Sequence, residues 1–437
     1  MSFRTRATAA AFFVFALVST TQAQAQAAVQ TSTQATAPPP DNEFYSLRER
    51  AAAGDAQAQF ALANHYFRGL GVPQDYGHAL IWYRKSAGQG YAPAQNQLGY
   101  MHQHKFGLPR DYKRALNYYR LAANQGYALA EYNLAAMFQS GLWVKRDYKQ
   151  AFEWYRKAAD QNLSDAEEVV GYFYQCGFGV KRDYAQALTW YRRAASHGNS
   201  NAENQLGYMA ENGWGQPQSY DEVFPWYYKA AEHGNDHAME NIGYNFQYGI
   251  GVATDYAKAR SWLYKAAALE NSDAENQLGW MYQYGQGVKP DDAKAVAWYR
   301  LAAGQGNVHG KNNLEAFKDE LKERGGGFWE SANEPVSDAA IEMVQRRARI
   351  RDLRAQITGL ETDALAQENS ADELANMGNS GKKKNDAIAK VMDAFGTVVG
   401  VKPLLDAAKS REEAARLREE LARLEYLDQS SANVPVP

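Results

Sequence analysis

The sequence predicts an all-α protein: a solenoid of helical hairpins followed by a separate helical region. Three observations carry this. The words "AENQLG" stand at 202–207 and again at 274–279, with "PAQNQLGY" at 93–100, and Leu98, Leu206 and Leu278 are separated by multiples of 36. Aligned at that period, seven full units run from 55 to 307. Each unit holds two helix-period patterns around a Gly-rich turn, which is how a stacked repeat array is written.

In chain order, residues 1–25 come first and read as a cleaved signal peptide. Arg4 and Arg6 supply the positive start, Ala7 to Val18 the apolar stretch, and Ala23 and Ala25 the small residues of a cleavage site. The apolar stretch is too short for an ordinary membrane-spanning helix. No cysteine lies nearby, so a lipoprotein anchor is not expected. Residues 26–54 read as a polar, Pro-rich disordered linker running into the first repeat.

Within each unit the first helix starts near Ala58, Ala94, Ala130, Ala166, Ala202, Ala238 or Ala274. Four residues on stands an aliphatic (Leu62, Leu98, Leu134, Val170, Leu206, Ile242, Leu278), then Gly or Ala, which lets a neighbour approach closely. Turns such as "GLGV" and "GFGV" follow, since glycine takes positive φ at little cost. Asp75, Asp111, Asp147, Asp183 and Asp255 then stand as N-caps of the second helix. That helix carries Trp82, Tyr118, Trp154, Trp190, Trp226, Trp262 and Trp298 at one position, expected to be core. Gly90, Gly126, Gly198, Gly234 and Gly306 close it. Repeat five departs: Ser219 replaces the capping Asp, and Pro225 falls inside the second helix.

This pattern, "A…LG..Y..G.GV..D…A..WY.KAA..G", resembles the Sel1-like repeat, a relative of the tetratricopeptide repeat. The resemblance covers every unit. It implies a right-handed αα superhelix whose first helices line the concave face, and a role as adaptor or assembly scaffold. One cysteine-rich branch of that family carries a β-lactamase-like association. Here Cys176 is the only cysteine, so that activity is not carried over.

After the array, 308–327 reads as a cap helix that keeps Leu314 at the repeat's aliphatic site and then turns polar. Residues 338–428 read as a helical, coiled-coil-like region, with one seam at Ile350, Leu353, Ile357 and Leu360 and another at Leu417, Leu421 and Leu424. These seams fit either a hairpin or a dimer. "KKK" at 382–384 reads as a solvated tip, with membrane contact as the alternative. Residues 429–437 form a disordered tail.

Chemistry is sparse. The net charge of −3 gives no argument for nucleic acid. No nucleophile elbow, zinc-protease or P-loop pattern appears. Histidines read as solvated surface residues, although His233 and His237 could approach each other across a repeat boundary. No cofactor or metal is expected. Acidic residues follow the period, with Glu131, Glu167, Glu203 and Glu275 at one position.

With Leu98 pointing inward, positions 96, 100 and 103 face the other way. They read Asn96, Tyr100 and Gln103 in repeat two; Glu168, Tyr172 and Gln175 in repeat four; and Asn204, Tyr208 and Glu211 in repeat five. Repeat six has Glu240, Tyr244 and Gln247, and repeat seven Asn276, Trp280 and Gln283. This is an amide–aromatic ladder suited to an extended peptide or a sugar polymer, or else to packing between repeats. A second stripe (Leu70, Phe106, Leu142, Phe178, Trp214, Ile250) runs through the turns, either plugging hairpin ends or offering an apolar edge to the C-terminal helices. The reading is an exported, non-catalytic scaffold that binds a protein partner or cell-wall glycan. The alternatives are an envelope hydrolase and a structural oligomer joined through the C-terminal helices.

Overall fold

The computed structural model describes residues 42–324 and, beyond them, helical positions between 342 and 364 and between 409 and 424. The expected signal peptide, the linker before 42, the "KKK" tip and the tail after 428 lie outside the described residues. Among the described residues all regular structure is helical. The chain divides into two compact units, residues 1–190 with 361–411, and residues 191–360 with 412–437.

The first unit opens with α1 (Asn42–Ala52), then α2 (Ala56–Arg68), α3 (Tyr76–Gly88), α4 (Ala92–His104), α5 (Tyr112–Ala123), α6 (Ala128–Ser140), α7 (Tyr148–Asp160) and α8 (Ser164–Cys176). Helix α9 (Tyr184–Ser196) carries the chain into the second unit. There follow α10 (Ser200–Asn212), α11 (Tyr220–Glu232), α12 (Asp236–Tyr248), α13 (Tyr256–Ala268), α14 (Ser272–Tyr284), α15 (Asp292–Gly304) and α16 (Val308–Glu323). Even-numbered helices from α2 to α14 are the first helices of repeats one to seven.

Helix α1 corrects the linker reading of 26–54. Phe44, Leu47 and Ala51 share one stripe and pack on Ala58 and Leu62 of the first repeat. The first unit of a stack has no preceding neighbour, so its core needs this cover. At the other end, α16 buries Leu314, Phe317 and Leu321, as a cap should.

The turns repeat in detail. Each first helix from α2 to α14 ends in a left-handed residue, and that residue is glycine in all but one of them; Lys105 replaces it after α4. The backbone N–H of Asp75, Asp111, Asp147, Asp183, Asp255 and Asp291 donates back to the preceding helix, at 2.8–3.0 Å. Their carboxylates then accept from the next helix's first turn, as Asp75 does from His78 N at 2.8 Å and Asp291 from Lys294 N at 3.0 Å. In repeat five Ser219 makes no side-chain cap bond, yet α11 runs unbroken through Pro225, which lies on its exposed side.

The second helices correct the expected core. The fully buried ladder is the residue after the tryptophan: Tyr83, Tyr119, Tyr155, Tyr191, Tyr227 and Tyr299 are all 0% exposed. Trp82, Trp154, Trp226, Trp262 and Tyr118 are half-buried; only Trp190 and Trp298 are buried. The half-buried indoles carry lysines over their faces, Lys157 over Trp154 at 3.8 Å and Lys265 over Trp262 at 4.0 Å. The small residue of the first helix now has its reason. A Cβ on Gly207 would stand 2.6 Å from the Tyr227 ring, and one on Gly279 2.6 Å from that of Tyr299.

At Phe106 and Phe178 the turn stripe plugs the hairpin ends, whereas Leu70 is exposed. Phe106 lies 5.3 Å from Tyr76 and Phe178 4.9 Å from Tyr148, each against the preceding repeat's second helix. In the C-terminal region, Ile350, Leu353 and Ile357 cluster with Ala414 and Leu421, and Arg349 pairs with Glu420 at 2.9 Å. The two seams therefore meet within one chain.

Candidate partner-binding face

A first helix in a stack touches its own second helix and the first helices on both sides. Its free stripe is therefore narrower than half its circumference, and most of the expected ladder turns out to be engaged. The 96 position zips neighbouring first helices. Asn133 donates to Asn96 at 2.8 Å, Asn241 to Asn204 at 3.0 Å, Gln277 to Glu240 at 2.6 Å, and Asn313 to Asn276 at 2.8 Å. The 103 position receives the core tyrosines. Tyr119 donates to Gln103 at 2.9 Å, Tyr155 to Gln139 at 2.7 Å, Tyr227 to Glu211 at 2.7 Å, and Tyr299 to Gln283 at 2.8 Å. Gln175 and Gln247 are buried.

The aromatic position splits between the units. In the first, Tyr100 and Tyr172 are buried, packed on Phe106 and Phe178 at 5.6 and 5.9 Å. In the second, Tyr208, Tyr244 and Trp280 are half-buried. Tyr208 lies 5.3 Å from Trp214. Tyr244 pairs with Tyr248 at 4.5 Å and 45°, and Trp280 pairs with Tyr284 at 4.3 Å and 44°. These two pairs have the same geometry one repeat apart. Tyr248 is 49% exposed and Tyr284 54%.

Sequence reasoning missed Tyr248 and Tyr284. Their signal was available, because each follows a ladder aromatic by four residues and so extends the same face. Tyr299 lies beneath them. Burial first, then the nearby Tyr284, Glu320 and Tyr248, push its phenol pKa well up. Gln283 also donates to Glu320 of the cap helix at 3.1 Å. The second unit thus presents exposed rings over a polar floor in repeats six and seven.

The acidic ladder is buried and structural. Gln161 donates to Glu131 at 2.7 Å, and Gln305 to both oxygens of Glu275 at 2.8 Å. Glu203 meets His233 at 2.8 Å and Lys229 at 3.1 Å. His233 and His237 are therefore occupied separately, His237 lying beside Asn271 at 3.2 Å. His102 is not a surface residue but 3% exposed, and burial lowers its pKa to about 4. Among the described residues no group of three or more His, Cys, Asp or Glu is placed to hold a metal ion, and no helix is long and apolar enough to cross a membrane.

Burial pushes Glu275 up to about 8, against the lowering effect of Gln305. The folded pKa thus exceeds the unfolded one, near 4.3. The associated stability is complete below that value and is lost as pH rises through about 8. Glu275→Gln should therefore gain on the parent in melting temperature as pH climbs from 5 to 9. Repeat two already uses a glutamine pair, Gln125 to Gln95 at 2.8 Å. A constant difference across that range would contradict the buried protonated carboxyl.

The fold and this face define a class: a helical-hairpin solenoid with a side-chain ladder on its first helices. Residues 56–91, 92–127, 128–163, 164–199, 200–235, 236–271 and 272–307 each match the Sel1 repeat, and the chain belongs to the Sel1 repeat family. It is similar to a protective antigen of uropathogenic Escherichia coli strains with an SLR fold. That likeness has 27% identity and a TM-score of 0.54, and covers 89% of this chain and 94% of that one. It is also similar to a Sel1 repeat protein from Oxalobacter formigenes, at 35% identity and a TM-score of 0.50, over 62% of this chain and 79% of that one. No curated protein matches the chain.

Proposed function

We propose that this protein is an exported, non-catalytic scaffold that binds a protein partner through the first helices of repeats six and seven. Sel1 repeat solenoids commonly mediate protein binding and are typically not enzymes, which supports the class of role. The observation that carries the location is the pair of exposed rings, Tyr248 and Tyr284, at equivalent positions of consecutive repeats. Large exposed aromatics are enriched where proteins meet.

Capture from the native envelope tests this. The intact protein should retain a partner, and a Tyr248→Ala/Tyr284→Ala variant should bind it at least tenfold more weakly, since two aromatic anchors contribute more than about 1.4 kcal/mol together. Equal capture by both would reject the face. Export is part of the proposal and rests on residues 1–25. A mature chain beginning near Gln24 or Gln26 supports it, and a full-length chain in the cytosol rejects it.

A further inference from the structure

Positive charge gathers on one edge of the first unit. The whole sequence has 47 Lys and Arg against 50 Asp and Glu, yet segments 105–114, 141–150 and 177–186 hold nine Lys or Arg against three Asp. These segments are the turns and second-helix starts of repeats two, three and four. Arg110, Arg146 and Arg182 stand at one repeat position, where the other four repeats have Gln74, Gln218, Thr254 and Pro290. Lys145 and Lys181 precede two of them, and Lys113 and Lys149 share a second position just after. All nine basic residues are exposed. The three carboxylates, Asp111, Asp147 and Asp183, accept from first-turn N–H groups of the next helix at 2.9–3.0 Å. Consecutive turns stack, as Phe178 does on Tyr148 at 4.9 Å, so the charges form one continuous edge.

Trp143 stands in the middle of this edge, in the turn of repeat three. The other six repeats have glycine there (Gly71, Gly107, Gly179, Gly215, Gly251 and Gly287), with φ between 65° and 73°. Trp143 takes the same conformation at φ 60°, although a bulky side chain is strained in the left-handed region. Burial does not offset that strain, since Trp143 is 63% exposed. An indole projecting from a turn, with cations on both sides along the stack, has the chemistry of an interfacial anchor. The amphipathic ring suits the boundary between headgroups and acyl chains, and the cations suit anionic headgroups. An acidic polypeptide would match the cations alone, whereas a bilayer surface matches the cations and the ring.

We propose that the turn edge of repeats two to four docks on an anionic phospholipid surface, with Arg110, Arg146 and Arg182 against the headgroups and Trp143 inserted among them. The docking is peripheral and reversible, because it rests on exposed charges and one ring. It uses different repeats from the candidate partner face of repeats six and seven, so either can fail without the other.

The protein isolated from its native cells should co-sediment with phosphatidylcholine vesicles containing about 30% phosphatidylglycerol, and not with phosphatidylcholine alone. Raising the salt from about 0.1 M to about 0.5 M should release it, because exposed charges are screened. An Arg110→Gln/Arg146→Gln/Arg182→Gln variant should bind at least tenfold more weakly, each cation near such a surface being worth about fivefold. Glutamine fits this turn, since Gln74 and Gln218 donate there to the preceding helix at 2.8 and 2.7 Å. Trp143→Gly restores the residue of the other six repeats and should melt no lower than the parent. It should also lose the quenching of tryptophan emission that brominated lipid in the anionic vesicles produces in the parent. Binding to neither vesicle, equal binding to both, or undiminished binding of the triple variant overturns the proposal. So does capture by immobilised polyglutamate without capture by vesicles, which would assign the edge to an acidic chain. Quenching that survives Trp143→Gly overturns the insertion of the ring.

Discussion

Tyr155→Ala is expected to destabilise the first unit by about 3–5 kcal/mol, the range for truncating a large buried aromatic. Tyr155 is 0% exposed and packs edge-on against Tyr132 and Phe173 at 5.2 and 5.5 Å. Its removal also strands the Gln139 oxygen that its hydroxyl bonds at 2.7 Å. The neighbouring Trp154→Ala should cost only about 1–2 kcal/mol, because that indole is half-buried and its cation contact with Lys157 is solvated. The contrast matters more than either number. Sequence spacing alone places the tryptophan in the core, so equal losses at 154 and 155 would restore that reading. Denaturant melts should be paired with hydrogen exchange, since damage in a linear array spreads to the adjoining repeats before the rest opens.

Gly207→Val should cost about 1–3 kcal/mol or more, although it replaces a helical glycine. Elsewhere in a helix, losing glycine gains as much as ~1 kcal/mol. Here the new Cβ would stand 2.6 Å from Cδ1 and Cε1 of Tyr227, a ring pinned by its bond to Glu211 at 2.7 Å. Alanine should be far cheaper than valine, because repeats one and three carry Ala63 and Ala135 at this position, fully buried beneath Tyr83 and Tyr155. Chemical denaturation of both variants checks the order. A neutral Gly207→Val would mean that α10 and α11 are not in close contact.

The period made the repeat boundaries, turns and caps legible, because each depends on local backbone chemistry that recurs every 36 residues. Asp caps and turn glycines were found by that route. The facing of the second helix was not. In a Trp-Tyr pair both residues fit the alanine stripe, and what selects tyrosine is a hydroxyl acceptor sixteen residues away on another helix. Helix α1 was hidden by the Pro-rich composition before it, though Phe44, Leu47 and Ala51 form an apolar stripe. The candidate face was half legible. Tyr244 and Trp280 were identified, but Tyr100 and Tyr172 proved buried, because a stacked first helix leaves only a narrow stripe free. Helix spacing alone does not reveal which tyrosines lie on that stripe, since Tyr172 is covered together with Phe178 of its own repeat's turn, 5.9 Å away.

The central functional claim is where the partner docks, and site-specific photo-crosslinking in native cells tests it most directly. A crosslinker placed at Tyr248 or Tyr284 on the first helices should capture a discrete protein. One placed at Tyr228, 36% exposed and on the second helix α11, should not. Capture from Tyr228 with silence at Tyr248 and Tyr284 would put the partner on the opposite side of the hairpins and contradict the account.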